Sequence, residues 1–332
     1  MTNPTITLRA RPRGAVTRDD FGFEQRATPA CSPGKLVLAP LYLSVDPYMR
    51  GRMNDRKSYI APFALGEPII SGGIGRVIEV AEGSRFAVGE LVGGLFPWQA
   101  RALVDEQALR KANPNLPLTA QLGVLGMPGL TAFVGLMDIG KPKPGQTVFV
   151  SAAAGAVGGA VGQLAKIHGC RAVGSAGSDD KVRYLKDELG FDGAFNYKTT
   201  DANEALAELC PQGVDIYFDN VGGKSLEAAI AHCNDHARIP VCGMIAGYEQ
   251  EAPGPNNLVM IVQKQITMTG FLVTAHGARM SEYAPAAARW LAEGKLKSHV
   301  TVVEGLAHAP DAFIGLLRGD NIGKMVVRVG DA

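Results

Sequence analysis

Two hydrophobic rhythms divide the chain. Over roughly the first 125 residues the apolar positions fall in short alternating runs broken by Gly and Pro, with no helical period. Lys35 to Val45 (KLVLAPLYLSV) predicts a strand closed by the turn-forming Asp46-Pro47. Gly72 to Ala81 and Arg85 to Val92 predict two more, separated by Glu82-Gly83-Ser84. Gly75 inside its strand points to a bulge or a close backbone approach. This part reads as a β-rich, partly closed barrel.

From Leu116 the period lengthens to that of helices. A helix is predicted over Leu122 to Asp138, started by Pro128, which loses no hydrogen bond in a first turn, and stopped by Gly140. The stiff Lys141 to Gly145 leads into an alternation of strand and helix. Strands are expected at Thr147 to Ser151, Arg171 to Ser175, Ala194 to Asn196, Val214 to Asn220, Arg238 to Cys242 and Ile266 to Phe271. Helices fall between them, over Ser178 to Leu189 with Ser178 as N-cap, Asp201 to Leu209 and Ser225 to His232. Such alternation makes a parallel, doubly wound sheet, which binds ligands at the carboxyl ends of its strands.

The centre of that alternation is Thr147 to Cys170 (TVFVSAAAGAVGGAVGQLAKIHGC), where a short strand meets a run of Ala and Gly before apolar positions recur at Ala160, Val161, Leu164 and Ile167. Small residues at Ala154, Gly155, Gly158 and Gly159 suit a turn that lets a pyrophosphate reach the free N–H groups of a helix start. The run AAGAVG carries Ala153 where the dinucleotide fingerprint has its first Gly, and a close-packed helix start without a ligand remains the other reading. About twenty residues on, an NAD site places an acidic residue on the ribose. Here Gly174-Ser175-Ala176-Gly177-Ser178 stands, with Lys181 one turn beyond. That favours NADPH over NADH, the alternative being an ordinary solvated Lys181.

Composition adds exclusions. With 46% hydrophobic residues in 332, two domains can each bury a core. Lys and Arg number 33 against 32 for Asp and Glu, so no global field favours nucleic acid or an anionic membrane. No N-terminal or internal run reaches membrane-spanning length, and a cytoplasmic protein is expected. Cys31, Cys170, Cys210, Cys233 and Cys242 include no close pair and read as reduced thiols. His232 and His236, four apart beside Cys233, allow a metal site on one helical face or simply a helix end before a strand.

The order of GMPGLTAF, AAAGAVGGAVGQLAK, GSAGSDDKVRYL, FNYKT, DNVGG and DNIGKMVV behind a β-rich half resembles the medium-chain dehydrogenase/reductase superfamily. More narrowly, it is similar to the zinc-free NADPH-dependent alkenal/one, prostaglandin and curcumin-type double-bond reductases. The resemblance implies an α/β fold in which a Rossmann dinucleotide-binding domain (126–300) follows a GroES-like catalytic domain (1–125 with 301–332). It implies hydride transfer from NADPH to the β-carbon of an enone or enal, in a homodimer. Lys181 and Tyr197, with Gly174, Ser175 and Ser178, would meet the adenosine phosphate end. Ala154, Gly155, Ala156 and Val157 would hold the pyrophosphate and Asn220 the ribose or phosphates. Cys242, Gly243, Met244 and Ile245 with Phe271, Leu272 and Val273 would line the nicotinamide end, over which Asn321 would close. Tyr48, Arg50, Met127 and Tyr248 would face the substrate, with Tyr48 and Tyr248 as catalytic candidates and Tyr248 the donor to the enolate or its α-carbon. Either tyrosine could instead be a packing residue.

The zinc alcohol dehydrogenases of the superfamily carry Cys and Gly-His-Glu ligand segments. Here Ser44-Val45-Asp46-Pro47-Tyr48 and Gly66-Glu67-Pro68 stand in those places, and the four-cysteine loop is missing, so no metal is expected. Direct alcohol oxidation loses its Lewis acid with them. Val262 replaces the aromatic residue expected in the prostaglandin-reducing branch, which leaves the substrate open. Quinone reduction, or a cofactor-binding sensor with little catalysis, are the competing functions.

Overall fold

The computed structural model describes residues 2–330. The chain divides into two units, one formed by the part up to Leu122 with the part from Val300 onward, the other by Gly123–His299.

In the first unit, Thr2–Leu8 and Phe21–Ala27 form an antiparallel pair. The main sheet runs in the order Val300–Glu304, Lys324–Arg328, Lys35–Ser44, Ile70–Val80, Leu91–Pro97 and Arg110–Lys111, with Ala102–Asp105 pairing the first half of Lys35–Ser44. All neighbours are antiparallel except the first two, which are parallel. The outermost strands are not paired with each other, so among the described residues the mixed sheet does not close into a full barrel. Trp98, Phe21 and Phe96 are wholly buried between the layers, and the Trp98 indole donates to Ser71 Oγ at 2.8 Å. Helix Ala309–Arg318 lays Ala309, Ala312 and Phe313 on the same core.

The expected features of Gly75 are both present. The register slips opposite it, between Pro40 and Tyr42, and a Cβ on it would lie 2.9 Å from the Ala39 carbonyl. The strand expected over Arg85 to Val92 begins only at Leu91. Arg85 is drawn away to donate to the carbonyls of Glu106 and Leu109, leaving 81–90 in turns.

The second unit holds six parallel strands: β1 Thr147–Val150, β2 Arg171–Ala176, β3 Gly193–Asn196, β4 Val214–Phe218, β5 Cys233–Val241 and β6 Thr267–Gly270. Their order is β3-β2-β1-β4-β5-β6. The order reverses between β1 and β4, the place where doubly wound sheets open a crevice. Connections are helices α1 (Ala156–Ile167), α2 (Asp179–Arg183, continued by a wider turn Tyr184–Glu188), α3 (Ala202–Leu209) and α4 (Gly223–His232). Ala160, Val161 and Leu164 of α1 are buried against the sheet as their spacing predicted. Gly162 between them makes room for Phe191, whose ring a Cβ there would meet at 1.9 Å. The helix predicted from Leu122 starts at Met127 and widens into a last turn over Gly135–Gly140, with the left-handed Lys141 ending it in place of Gly140. The five cysteines are free.

Candidate active site

The first turn of the parallel sheet is built for a close visitor. Between β1 and α1 the backbone passes through Ala152 in the left-handed region (φ 49°), and α1 is entered from Gly155, with no side chain capping its first N–H groups. Those groups, at the positive end of a twelve-residue helix, are donors suited to a phosphate. A Cβ on Gly158 would lie 2.5 Å from the Ala152 carbonyl, so helix and turn pack without a side chain between them. Ala153 at the first fingerprint position is explained by its neighbour strand. A Cβ on Gly174 would sit 2.7 Å from the Ala153 Cβ, so the methyl occupies the space that Gly174 leaves. The Ala153 N–H donates to the Ser175 carbonyl at 2.9 Å, joining the ends of β1 and β2. This cradle, with its uncapped donors, fits the diphosphate of a dinucleotide.

At the end of β2, Ser175 is buried, while Ser178 caps α2 by accepting the Lys181 N–H at 3.4 Å. Tyr197 is half exposed, and its hydroxyl lies 3.1 Å from where a Cβ on Gly177 would be. Lys198 Cε lies 3.4 Å from the same point. Lys198 therefore adds a second basic side chain to this edge, one to which the sequence reading gave no role. Two carboxylates also follow Ser178. Asp179 accepts from the Asn196 side chain at 2.8 Å and Asp180 pairs with Arg183, so both are engaged locally.

At the reversal point the polar groups form one buried cluster. Asp219 Oδ1 accepts from the Tyr217 hydroxyl at 2.7 Å and from the backbone N–H groups of Val221 at 2.9 Å and Gly222 at 2.8 Å, with Ser151 Oγ 3.4 Å away. The Asn220 side chain donates to the Ser151 carbonyl at 2.8 Å, and its backbone N–H donates to Ser151 Oγ at 3.0 Å. The ends of β1 and β4 are thereby locked together. The N–H groups of Cys242 and Gly243 donate to the Asp219 carbonyl and that of Ile245 to Asn220, which brings the end of β5 into the same cluster. Tyr248, half buried, places its hydroxyl 3.4 Å from where a Cβ on Gly243 would be, with the Asn220 carbonyl 3.5 Å from the same point. Met244 lies over Gly222. Burial, and then the charge of Asp219, push the Cys242 thiol up to about 12, so it is a neutral lining group.

The remaining candidates of this unit are less drawn together. Phe271 packs edge-on against Phe218, its ring filling the space that Gly135 leaves, while Leu272 and Met127 are exposed and Val273 is half buried.

In the first unit, Tyr48 opens the short helix Met49–Arg52 directly after the turn at Asp46-Pro47. Burial, then the nearby Asp46 charge, raise its hydroxyl well above the ordinary tyrosine value, so it is neutral. Arg50 is buried, with Nη1 donating to Asn54 and Nη2 to the Gly14 carbonyl, both at 2.8 Å. Its position is that of a loop tie. Asn321 is also buried, and its amide donates to the Gly323 carbonyl at 2.7 Å. Sequence reading passed over a buried ion pair here. Lys324 Nζ donates to Asp46 Oδ1 at 2.8 Å and to the Val45 carbonyl at 2.6 Å, and Ser44 Oγ donates to the other carboxylate oxygen. The turn that leads to Tyr48 is thus tied to the strand that follows Asn321.

This arrangement has close counterparts among known proteins. The family model "N-terminal domain of oxidoreductase" matches residues 4–112, and "Zinc-binding dehydrogenase" matches residues 156–293. The NADPH-dependent curcumin reductase of Escherichia coli (strain K12) is 41% identical over 336 residues, covering 98% of this chain and 97% of that protein. The chain belongs to the medium-chain dehydrogenase/reductase superfamily. Another similar medium-chain protein is the 2-alkenal reductase (NADP(+)-dependent) of Nicotiana tabacum, 45% identical across 89% of this chain and 87% of its own. The crystal structure of CurA in complex with NADPH from Vibrio vulnificus superposes with a TM-score of 0.94 at 43% identity, covering 99% of this chain and 100% of that one.

The zinc in the second family description has no counterpart in a ligand cluster of this medium-chain protein. Among the described residues no group of three or more His, Cys, Asp or Glu side chains is placed to hold a metal ion. His232 and His236 do not share a helical face, because α4 ends at His232 and His236 lies in β5 with a left-handed backbone (φ 61°).

Proposed function

We propose that this protein is an NADPH-dependent reductase of the carbon–carbon double bond in α,β-unsaturated aldehydes and ketones. The observation that supports it most directly is the crevice at the reversal point, with an uncapped helix start, Tyr197 and Lys198 just past β3 and beside Gly177, Lys181 in the first turn of α2, and no acidic residue within Gly174–Ser178. When bound, NADPH supplies the hydride that goes to the β-carbon of the substrate.

The chain's own groups bind and orient. Ala154 to Val157 hold the diphosphate, Lys181 with Tyr197 and Lys198 the phosphate on the adenosine ribose, and Asn220 with the 242–245 segment the other end of the cofactor. Tyr248 donates a hydrogen bond to the substrate carbonyl oxygen as negative charge grows there, and Tyr48 and Met127 contact the substrate. The residues proposed for the cofactor, together with Met127 and Tyr248, belong to the unit from Gly123 to His299, and Tyr48 belongs to the other. Asn321 shapes the loop before the last strand, and Arg50 supports the one that carries Tyr48.

The protein acts in the cytoplasm as a homodimer that pairs through β6. The described residues contain no helix long and apolar enough to cross a membrane. β6 is an outer strand with Thr267, Met268 and Gly270 exposed, an edge open to pairing.

The test is loss of reduced-nicotinamide absorbance when protein and NADPH are mixed with 2-alkenals, enones and quinones. Turnover of alkenals and enones is expected. Tight NADPH binding without turnover of any member of the panel would overturn the reading, and quinone-only turnover would replace it. Sedimentation velocity tests the dimer, since a monomer at micromolar concentration contradicts it.

A further inference from the structure

The Asp219 carboxylate is an anion without a cation. Asp219, Tyr217 and Ser151 have no exposed surface, and every group donating to Asp219 Oδ1 is a neutral dipole. Its Oδ2 is buried and has no hydrogen-bond partner among the described residues. Burial pushes the carboxyl up from its usual range while the converging donors pull it back, and no positive side chain contributes. An ionised group kept in such surroundings is costly unless something compensates it.

Its place in the fold indicates what does so. The Asp219 side chain holds the Val221 and Gly222 N–H groups at the end of β4, and its backbone carbonyl holds Cys242 and Gly243 at the end of β5. These are the strand ends to which we assign the nicotinamide end of the cofactor. The two redox forms of that cofactor differ by one positive charge on the nicotinamide. A fixed anion therefore discriminates between them, and because Asp219 has no exposed surface its field is weakly screened.

We infer that Asp219 is a positioning residue whose charge makes the crevice favour the oxidised, cationic nicotinamide while its hydrogen bonds hold the strand ends in register. This rests on the reading of the crevice as an NADP site. A crevice that favours the cation also favours departure of the hydride, so the same charge assists reduction of the substrate.

The experiment compares dissociation constants of NADP+ and NADPH for the full-length protein and Asp219→Asn, by isothermal titration at pH 8. Asparagine keeps the shape and one oxygen acceptor while removing the charge. NADP+ is expected to weaken about tenfold, or about 1.4 kcal/mol, with NADPH changing less than about twofold. Tyr217→Phe, which removes one neutral donor and leaves the charge, is expected to keep the ratio of the two constants within about twofold of wild type. Equal weakening of both forms in Asp219→Asn, or no change in either, would overturn the inference. So would a ratio shifted as far by Tyr217→Phe, which would mean that loss of order and not of charge is being read; this comparison also covers partial misfolding of the first variant. Wild-type protein that binds neither form would remove the NADP reading and this inference together. Wild-type protein that binds both but turns over no enone would overturn the reductase assignment alone.

Discussion

Replacing Lys324 by Met isolates the buried ion pair of the first unit. The Lys324 and Asp46 side chains are 4% and 9% exposed, and their charged atoms are 2.8 Å apart. At an effective dielectric constant of about 20 the attraction is about 6 kcal/mol, most of which offsets the cost of taking both charges out of water. The net worth of the intact pair is therefore small, but removing one partner is not a small change. It leaves the Asp46 carboxylate buried with the Ser44 hydroxyl, and empties the Val45 carbonyl of its donor at 2.6 Å. Stranding a buried charge costs about 3–5 kcal/mol. With a urea dependence of about 2 kcal/mol/M, Lys324→Met lowers the unfolding midpoint of this unit by about 2 M. The double variant Lys324→Met/Asp46→Asn removes the stranded charge and recovers at least half of the loss. The measurement is urea unfolding followed by the fluorescence of Trp98, buried in the same core. A midpoint shift below about 0.5 M for Lys324→Met, or no recovery in the double variant, would refute the reasoning.

Three further outcomes are expected. Lys181→Ala raises the KM for NADPH at least about tenfold more than that for NADH, since it removes a charge that only the 2′-phosphate meets; equal effects on both would mean that Lys181 does not see that phosphate. Tyr248→Phe lowers kcat by about tenfold or more with a smaller change in KM, and unchanged turnover would return Tyr248 to a packing role. His168 stands edge-on to Trp290 and burial lowers its pKa, so below about pH 6.5 the unfolded chain takes up a proton that the folded protein resists. Stability supplied by this group is thus full above that pH and declines as the pH falls through it. His168→Gln flattens the dependence of the urea midpoint between pH 5 and 7, and an unaltered slope would contradict the assignment.

What could be read from the chain was the part written in local pattern. The alternation of strand and helix after Thr147, the N-cap at Ser178 and the buried stripe of α1 each depend on residues a few positions apart, and they stand where expected. Boundaries slipped where a distant partner decided them, as when Arg85 reaches the carbonyls of Glu106 and Leu109 and the strand starts at Leu91. His232 and His236 allowed either one helical face or a helix end before a strand, and the second stands, because the sheet claims the chain from Cys233 onward. Two of the buried carboxylates, Asp46 and Asp219, had partners that escaped notice for the same reason. Asp46 meets its cation 278 positions away, and Asp219 meets Ser151 across 68, distances over which residue type carries no signal. Arg50 was placed near the substrate by the resemblance alone, and that the loops of Gly14 and Asn54 enclose it is a tertiary fact its residue type does not announce.

The contact between Ala153 and Gly174 changes how such a fingerprint is to be counted. The pair of positions has room for one methyl group. Ala153→Gly alone leaves a hole the size of that methyl, and Gly174→Ala alone puts two carbons 2.7 Å apart and also meets the Phe191 ring at 2.9 Å, so the methyl fits at 153 and not at 174. A search that scores the glycine turn position by position marks this chain down for a residue that the neighbouring strand has already compensated.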